Sequence, residues 1–117
     1  MKKPIKRVHI KTAICDQELD LYGFHYRDND KVALELWSPE TEEEPAEPYY
    51  TATVNVQGAF VPEGHVLLKG WSENEGLPEA LVAAGLVEMT GVTVPTGYCE
   101  AQEAKLLFKV PEGDPDE

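Results

Sequence analysis

The chain has 117 residues, a length that allows one domain with a single hydrophobic core. Acidic residues outnumber basic ones by 22 to 10, so the net charge is −12 and the isoelectric point is near 4.6. This charge repels nucleic-acid phosphate and anionic lipid, and it favours basic partners. We therefore expect one domain, residues 1–117, that binds neither nucleic acid nor a membrane directly.

The charge is distributed unevenly along the chain. Half of the basic residues lie within the first eleven positions: Lys2, Lys3, Lys6, Arg7 and Lys11. From residue 12 onward, five basic residues stand against 22 acidic ones, which is a net charge of −17. The N-terminal segment is therefore basic, and the rest of the chain is strongly acidic.

The lack of a recognisable targeting signal and the two isolated cysteines lead us to expect a cytoplasmic protein. No uninterrupted apolar segment follows the basic N-terminus, so we expect neither a signal peptide nor a transmembrane span. Cys15 and Cys99 are isolated in the sequence and lack a CxxC partner. Reduced thiols are the expected state of such cysteines.

Alternating apolar and polar residues predict strands in the first half of the chain. Residues 5–15 form the first, and residues 19–27 and 31–37 form a hairpin around a polar turn at 28–30. Gly23 is expected to mark a bulge. Residues 38–48 combine glutamates with three prolines, a composition that predicts a mobile acidic loop.

Further strands are predicted at residues 49–56, where the alternation is clearest, and at residues 65–69. Beyond the helix described below, residues 86–89 are extended, Thr90 and Gly91 form a turn, and residues 92–97 form a loop. A closing strand over residues 98–110 and a short acidic tail, 111–117, complete the chain.

One helix is predicted over about residues 74–84. Ser72 or Asn74 is expected to cap its N-terminus with a side-chain oxygen, and apolar residues then recur at helical spacing. Gly85 is suited to the left-handed position of a Schellman motif, with Leu86 as its hydrophobic contact. The fold class is therefore α+β, a mainly antiparallel sheet of five or six strands with this short helix packed on one face.

Part of the sequence resembles a known group of proteins. The segments WSENEG at 71–76, EALVAAGLV at 79–87, TG at 90–91 and VPTGY at 94–98 are similar to a small family of domains of unknown function. That family is encoded on phages and conjugative elements of gut bacteria. The resemblance covers roughly residues 49–106. It implies a mobile-element origin and a bacterial cytoplasm, and it implies no activity and no site residues.

The sequence contains no arrangement typical of catalysis or of cofactor binding. It has no G-x-S-x-G motif, and its three histidines and two cysteines are scattered without the close spacing of a zinc site. Aromatic residues would stack on bases only beside a basic groove. We expect no basic groove in the acidic body of the protein. We predict no cofactor, no metal and no enzymatic activity, and a small cysteine-dependent or carboxylate-dependent enzyme is the least favoured alternative.

The acidity itself is the remaining functional signal. Carboxylates on a surface can mimic the phosphates of duplex DNA, which occur about every 1.7 Å of helix axis. We predict a non-enzymatic module that binds a basic protein surface, such as the nucleic-acid channel of a bacterial defence complex, as an anti-CRISPR or DNA-mimic inhibitor does. The predicted binding residues are Glu40, Glu42, Glu43, Glu44 and Glu47, with Glu73, Glu75 and Glu79 as a second patch.

Two alternatives stay open at this point. In the first alternative, the acidic surface only keeps the protein soluble. In the second, the chain is a homodimeric structural or plasmid-maintenance accessory module, and Trp37, Tyr49 and Tyr50 contribute to its apolar interface.

Overall fold

A computed structural model describes residues 4–25, 31–56 and 58–110 of the chain. The predicted turn at 28–30, the tail 111–117 and the side chains of Lys2 and Lys3 lie outside these residues. Within these described ranges, seven strands and one α-helix follow one another. They are β1 (Lys6–Lys11), β2 (Asp16–His25), β3 (Val32–Trp37), β4 (Pro48–Thr51), β5 (His65–Leu68), α1 (Leu77–Ala83), β6 (Val87–Pro95) and β7 (Glu100–Leu106). The architecture is α+β, and every strand pair is antiparallel.

The strands form two sheets, so the prediction of a single sheet with five or six strands is wrong. One sheet has the order β1-β2-β3-β4 and the other has the order β5-β7-β6. The predicted strand over 49–56 ends at Thr51. Beyond it, the Ala52 amide donates to the Leu34 carbonyl at 2.9 Å and the Val54 amide donates to the Leu67 carbonyl at 3.1 Å. The alternating pattern continues because this segment joins the two sheets, but the pattern does not reveal that the strand changes partners.

One hydrophobic core lies between the sheets and the helix. Strand register explains its composition, because Val8 lies opposite Leu19 and Leu21 lies opposite Leu36, and all four side chains are buried. Leu81 of α1 packs into the same cluster. Burial of each such side chain contributes roughly 1.5–3 kcal/mol to folding.

Gly23 does not mark a bulge, contrary to the prediction. It pairs in regular register with Leu34. A Cβ atom at this position would lie 2.9 Å from Cδ1 of Ile5 and 3.2 Å from Cγ1 of Val110. The glycine is therefore required by close packing on β2 rather than by an irregular backbone.

The helix begins later than predicted and ends as predicted. Its N-cap is Gly76, at φ +84°, and no side chain caps it. The prediction of a cap at Ser72 or Asn74 is wrong because both residues lie in a preceding 3₁₀ turn, Ser72–Asn74. At the other end, the Leu86 amide donates to the Leu81 carbonyl and Gly85 has φ +76°, which confirms the Schellman motif.

Thr90 and Gly91 lie within β6 rather than in a turn. The register of β6 against β7 shifts between Met89 and Thr93, so the two predicted pieces are one strand interrupted by a bulge. Among the described residues, no helix has the length and apolar character needed to cross a membrane.

Candidate protein-binding site

The acidic loop, residues 38–47, connects β3 to β4 and has a defined path. Its ends are held together because the Ser38 amide donates to the Glu47 carbonyl at 2.7 Å and the Glu47 amide donates to Oγ of Ser38 at 2.9 Å. A tighter turn lies within the loop, where the Glu44 amide donates to Oγ1 of Thr41 at 3.0 Å. The sequence predicts a mobile loop, whereas these bonds give it a specific shape.

The predicted binding glutamates of the acidic loop are all exposed. They are Glu40, Glu42, Glu43, Glu44 and Glu47. No ion pair joins any of them to a basic side chain within the described part of the chain. The loop therefore displays five carboxylates with no neutralising partner among the described residues.

An aromatic pair lies beside the loop. Tyr22 and Trp37 meet edge to face with ring centroids 6.1 Å apart, and Nε1 of Trp37 donates to Oε1 of Glu35 at 3.0 Å. Burial raises the pKa of the Tyr22 phenol, with smaller contributions from the carboxylates of Asp20 and Glu40. The carboxylate of Glu40 thus acts on Tyr22, and the acidic loop borders this half-buried aromatic surface.

The second predicted patch, Glu73, Glu75 and Glu79, lies at the start of the helix and is called the helix patch here. All three residues are exposed. A hydrogen bond from its own backbone amide and one from Nζ of Lys69, at 3.1 Å, lower the pKa of Glu73. Neither Glu75 nor Glu79 forms an ion pair with a described residue.

Asn74 fixes the position of the helix patch relative to the sheet. It is buried, and its Nδ2 donates to the Thr51 carbonyl at 2.8 Å. Thr51 ends β4, whereas the acidic loop leads into the start of that strand at Pro48. From Glu47 to Thr51 an extended chain advances roughly 13 Å. The structure therefore places the two predicted acidic patches at opposite ends of β4.

On β2, two of the three acidic residues contact β1, whereas Glu18 is exposed and forms no ion pair with a described residue. Nε of Arg7 donates to Oδ1 of Asp20 at 2.8 Å, and Nε2 of His9 lies 2.6 Å from Oδ1 of Asp16. Sequence reasoning does not pair these residues. Arg7 lies directly opposite Asp20 in the register, and this pair could be read from the alternation of the two strands, whereas His9 lies opposite Glu18 and reaches Asp16 diagonally.

A basic groove lies between β1 and α1, and its basic residues belong to the N-terminal segment that the sequence shows to be basic. It measures about 490 Å³ and is lined by Lys6, Lys11 and other β1 residues opposite Ala80 and Ala83 of the helix. Its lining contains the imidazole of His9 but no Phe, Tyr or Trp, so it lacks the series of large aromatic rings on which successive bases stack.

The cysteines and histidines do not converge. Cys15 lies beside the buried Tyr50, and the Cys99 carbonyl accepts hydrogen bonds from Thr96 in the turn between β6 and β7. His9 lies opposite Glu18 and His25 lies opposite Val32, so these two histidines do not face each other. Within the described ranges, no group of three or more side chains could hold a metal ion.

The three aromatic residues of the predicted dimer surface have different exposures. Tyr49 is 44% exposed and Trp37 is half-buried, whereas Tyr50 is only 5% exposed. The Tyr50 hydroxyl lies 3.1 Å from Oγ1 of Thr12 in a hydrogen bond. Tyr50 therefore belongs to the core.

Comparison with known proteins adds no relative to this description. No family model, no curated protein and no solved structure matches the chain. The candidate site is consequently defined by the exposure, charge and hydrogen bonding of its own residues.

Proposed function

We propose that this chain is a non-enzymatic module that binds a basic surface of another protein through the acidic loop and the helix patch. The observation that carries the proposal is the exposure of five loop glutamates without a basic partner among the described residues. Two β2 carboxylates, by contrast, are engaged by β1. The loop carboxylates, which have no basic partner among the described residues, are accessible to another protein, whereas the buried Asp20, held by Arg7, is not.

The partner that best fits this surface is a protein channel that binds nucleic acid in a bacterial cell. Basic groups in such a channel extend along the path of the phosphates, and two acidic patches at opposite ends of β4 meet an extended basic surface better than a single basic point. The sequence resembles domains that are encoded on phages and conjugative elements. This resemblance favours the proposal that the protein is a cytoplasmic inhibitor of a nucleic-acid-targeting defence complex. The net charge of −12 disfavours direct binding of the nucleic acid itself.

The test compares two triple variants of equal charge change. One carries Glu42→Gln, Glu43→Gln and Glu44→Gln in the acidic loop, and the control carries Glu63→Gln, Glu88→Gln and Glu100→Gln at exposed positions elsewhere. Purified bacterial CRISPR effector complexes are mixed with labelled target DNA and each variant. We expect the loop variant to displace DNA at least about tenfold less well than the parent, and the control to act like the parent.

Salt dependence and melting temperature complete this experiment. Raising ionic strength from low to physiological values should weaken the parent more than the loop variant, because salt screens exposed charges. Both variants should melt within about 2 °C of the parent, since exposed side chains contribute little to stability. Displacement that ignores both the loop substitutions and salt would contradict the proposal.

A further inference from the structure

A groove of about 390 Å³ lies between α1 and β6, on the helix that carries Glu79. Val82 of the helix and Val92 of the strand line it from opposite sides, and these side chains are 42% and 51% exposed. Met89 lies in the same groove and is partly buried against the core. Its volume falls within the range of ligand sites, roughly 300–1,000 Å³.

The β6 bulge builds one wall of this groove. Gly91 has φ +88°, and a Cβ atom there would meet nothing within 4 Å. Oγ1 of Thr90 donates to Oε2 of the buried Glu103 at 2.9 Å and accepts a hydrogen bond from the Val92 amide at 3.3 Å. These bonds connect the displaced segment to β7, so the position of Val92 is fixed before any partner arrives.

We infer that this groove receives an apolar side chain of the partner that is flanked in sequence by lysine or arginine. This inference rests on the proposed function, because it assigns a contact within the same basic partner. The occupant follows from the chemistry of the wall. The lining contains the carboxylate of Glu79 and no basic residue, while Val82, Met89 and Val92 offer apolar contact.

The groove supplies what the acidic patches lack. Exposed charge pairs accelerate encounter and select the partner, but they contribute modestly to affinity. Apolar anchors seated in a pocket and surrounded by polar groups contribute most of the binding energy in many interfaces. The groove provides such a pocket beside Glu79, and salt does not screen apolar contacts there as it screens exposed charges.

Two short peptides test the inference. The probe is the acetylated and amidated peptide Arg-Arg-Leu-Arg-Arg, and its matched control has glycine in place of leucine. Binding is followed by NMR of the methyl groups of Val82, Met89 and Val92 and of the backbone amides of residues 40–44. We expect the leucine peptide to shift the groove methyls saturably, and both peptides to shift the loop amides.

Substitutions then locate the contact. Val92→Ser should weaken binding of the leucine peptide at least about fivefold, and Glu79→Gln should weaken it less. Phe60→Ser, at a side chain that is 85% exposed and does not line the groove, is the control and should change nothing. Val92→Ser should leave the binding of the glycine peptide unchanged.

The outcomes separate this inference from the proposed function. Shifts confined to the loop amides for both peptides would refute the apolar anchor and leave the acidic binding surface standing. Groove shifts without loop shifts would support the anchor and count against the acidic surface. If the Val82 and Val92 signals move with protein concentration alone, the occupant is a second copy of the chain and the inference is wrong.

Discussion

Two acidic segments of this molecule, β2 and the acidic loop, carry their charge in opposite ways. On β2, the carboxylates of Asp20 and Asp16 meet Arg7 and His9 on the neighbouring strand. In the loop, the glutamates are exposed and form no ion pair with a described residue. The buried Asp20 contributes to the fold through Arg7, whereas the exposed Asp16 and the loop glutamates are presented to solvent.

The net charge of a chain therefore does not indicate which of its charged side chains are accessible to a partner. The basic N-terminal segment and the β2 acids are separated in sequence, yet the β1–β2 register brings them into pairs. What is left for a partner is the charge that no strand pairing neutralises. The loop holds such charge because it lies outside both sheets.

Removal of the buried, paired carboxylate of Asp20 should destabilise the protein most. Asp20 is 7% exposed and accepts hydrogen bonds from Nε and Nη2 of Arg7. Asp20→Asn removes the charge that these donors face, so we expect the melting temperature to fall by roughly 5 °C. Calorimetry measures the fall, and Glu42→Gln in the loop, a loss of the same charge, should change the melting temperature by less than about 2 °C. Equal effects of the two substitutions would abolish the distinction between paired and presented charge.

Local sequence determines some features of this fold, and contacts between distant segments determine others. The β2–β3 hairpin and the Schellman motif at Gly85 are confirmed because alternation and a left-handed glycine act over a few residues. The missed features depend on distant partners. Asn74 does not cap the helix, because its side chain donates a hydrogen bond to the Thr51 carbonyl. The alternating pattern beyond Thr51 does not indicate that this segment joins the two sheets.

The same distinction applies to the candidate site. The acidic loop is recognisable in the sequence because its glutamates and prolines neither bury surface nor extend a sheet. The α1–β6 groove is not, because Val82 and Val92 lie on different elements and meet only through tertiary packing. A bulge locked by Thr90 and Glu103 leaves no sequence signal beyond the glycine at position 91.

An intermediate effect is expected at Tyr50, which ties the β1–β2 turn to β4. Its hydroxyl is bonded to Thr12, and burial raises the pKa of its phenol above the ordinary 10.0, although that hydrogen bond opposes the shift. Above pH 10 the unfolded chain therefore ionises at this tyrosine before the folded protein does. Stability should fall as the pH rises through this value, and Tyr50→Phe should reduce the fall.

Urea unfolding at pH 8 and at pH 10.5 measures this effect. At pH 8 the variant should be less stable than the parent by about 1 kcal/mol, because it lacks the bond to Thr12. At pH 10.5 the gap between them should narrow. Tyr98→Phe, at a fully exposed tyrosine, is the control. A gap that is constant or that widens with pH would show that ionisation of Tyr50 is not linked to folding.

Glu73 is intermediate between Asp20 and the loop glutamates, and its substitution should change stability only slightly. This carboxylate has a basic partner, as Asp20 does, but it is exposed, as the loop glutamates are. Because its pKa is lowered from 4.5 in the folded state, it contributes stability above that pH and loses the contribution as the pH falls through the folded value.

The Glu73→Gln variant should therefore melt at most about 2 °C below the parent at pH 7, and the difference should shrink below pH 4.5. Glu75→Gln, at an exposed neighbour without an ion pair among the described residues, is the control at pH 7 for the loss of one charge. A Glu73→Gln effect as large as that of Asp20→Asn would mean that pairing alone, and not pairing with burial, makes an acidic residue part of the fold.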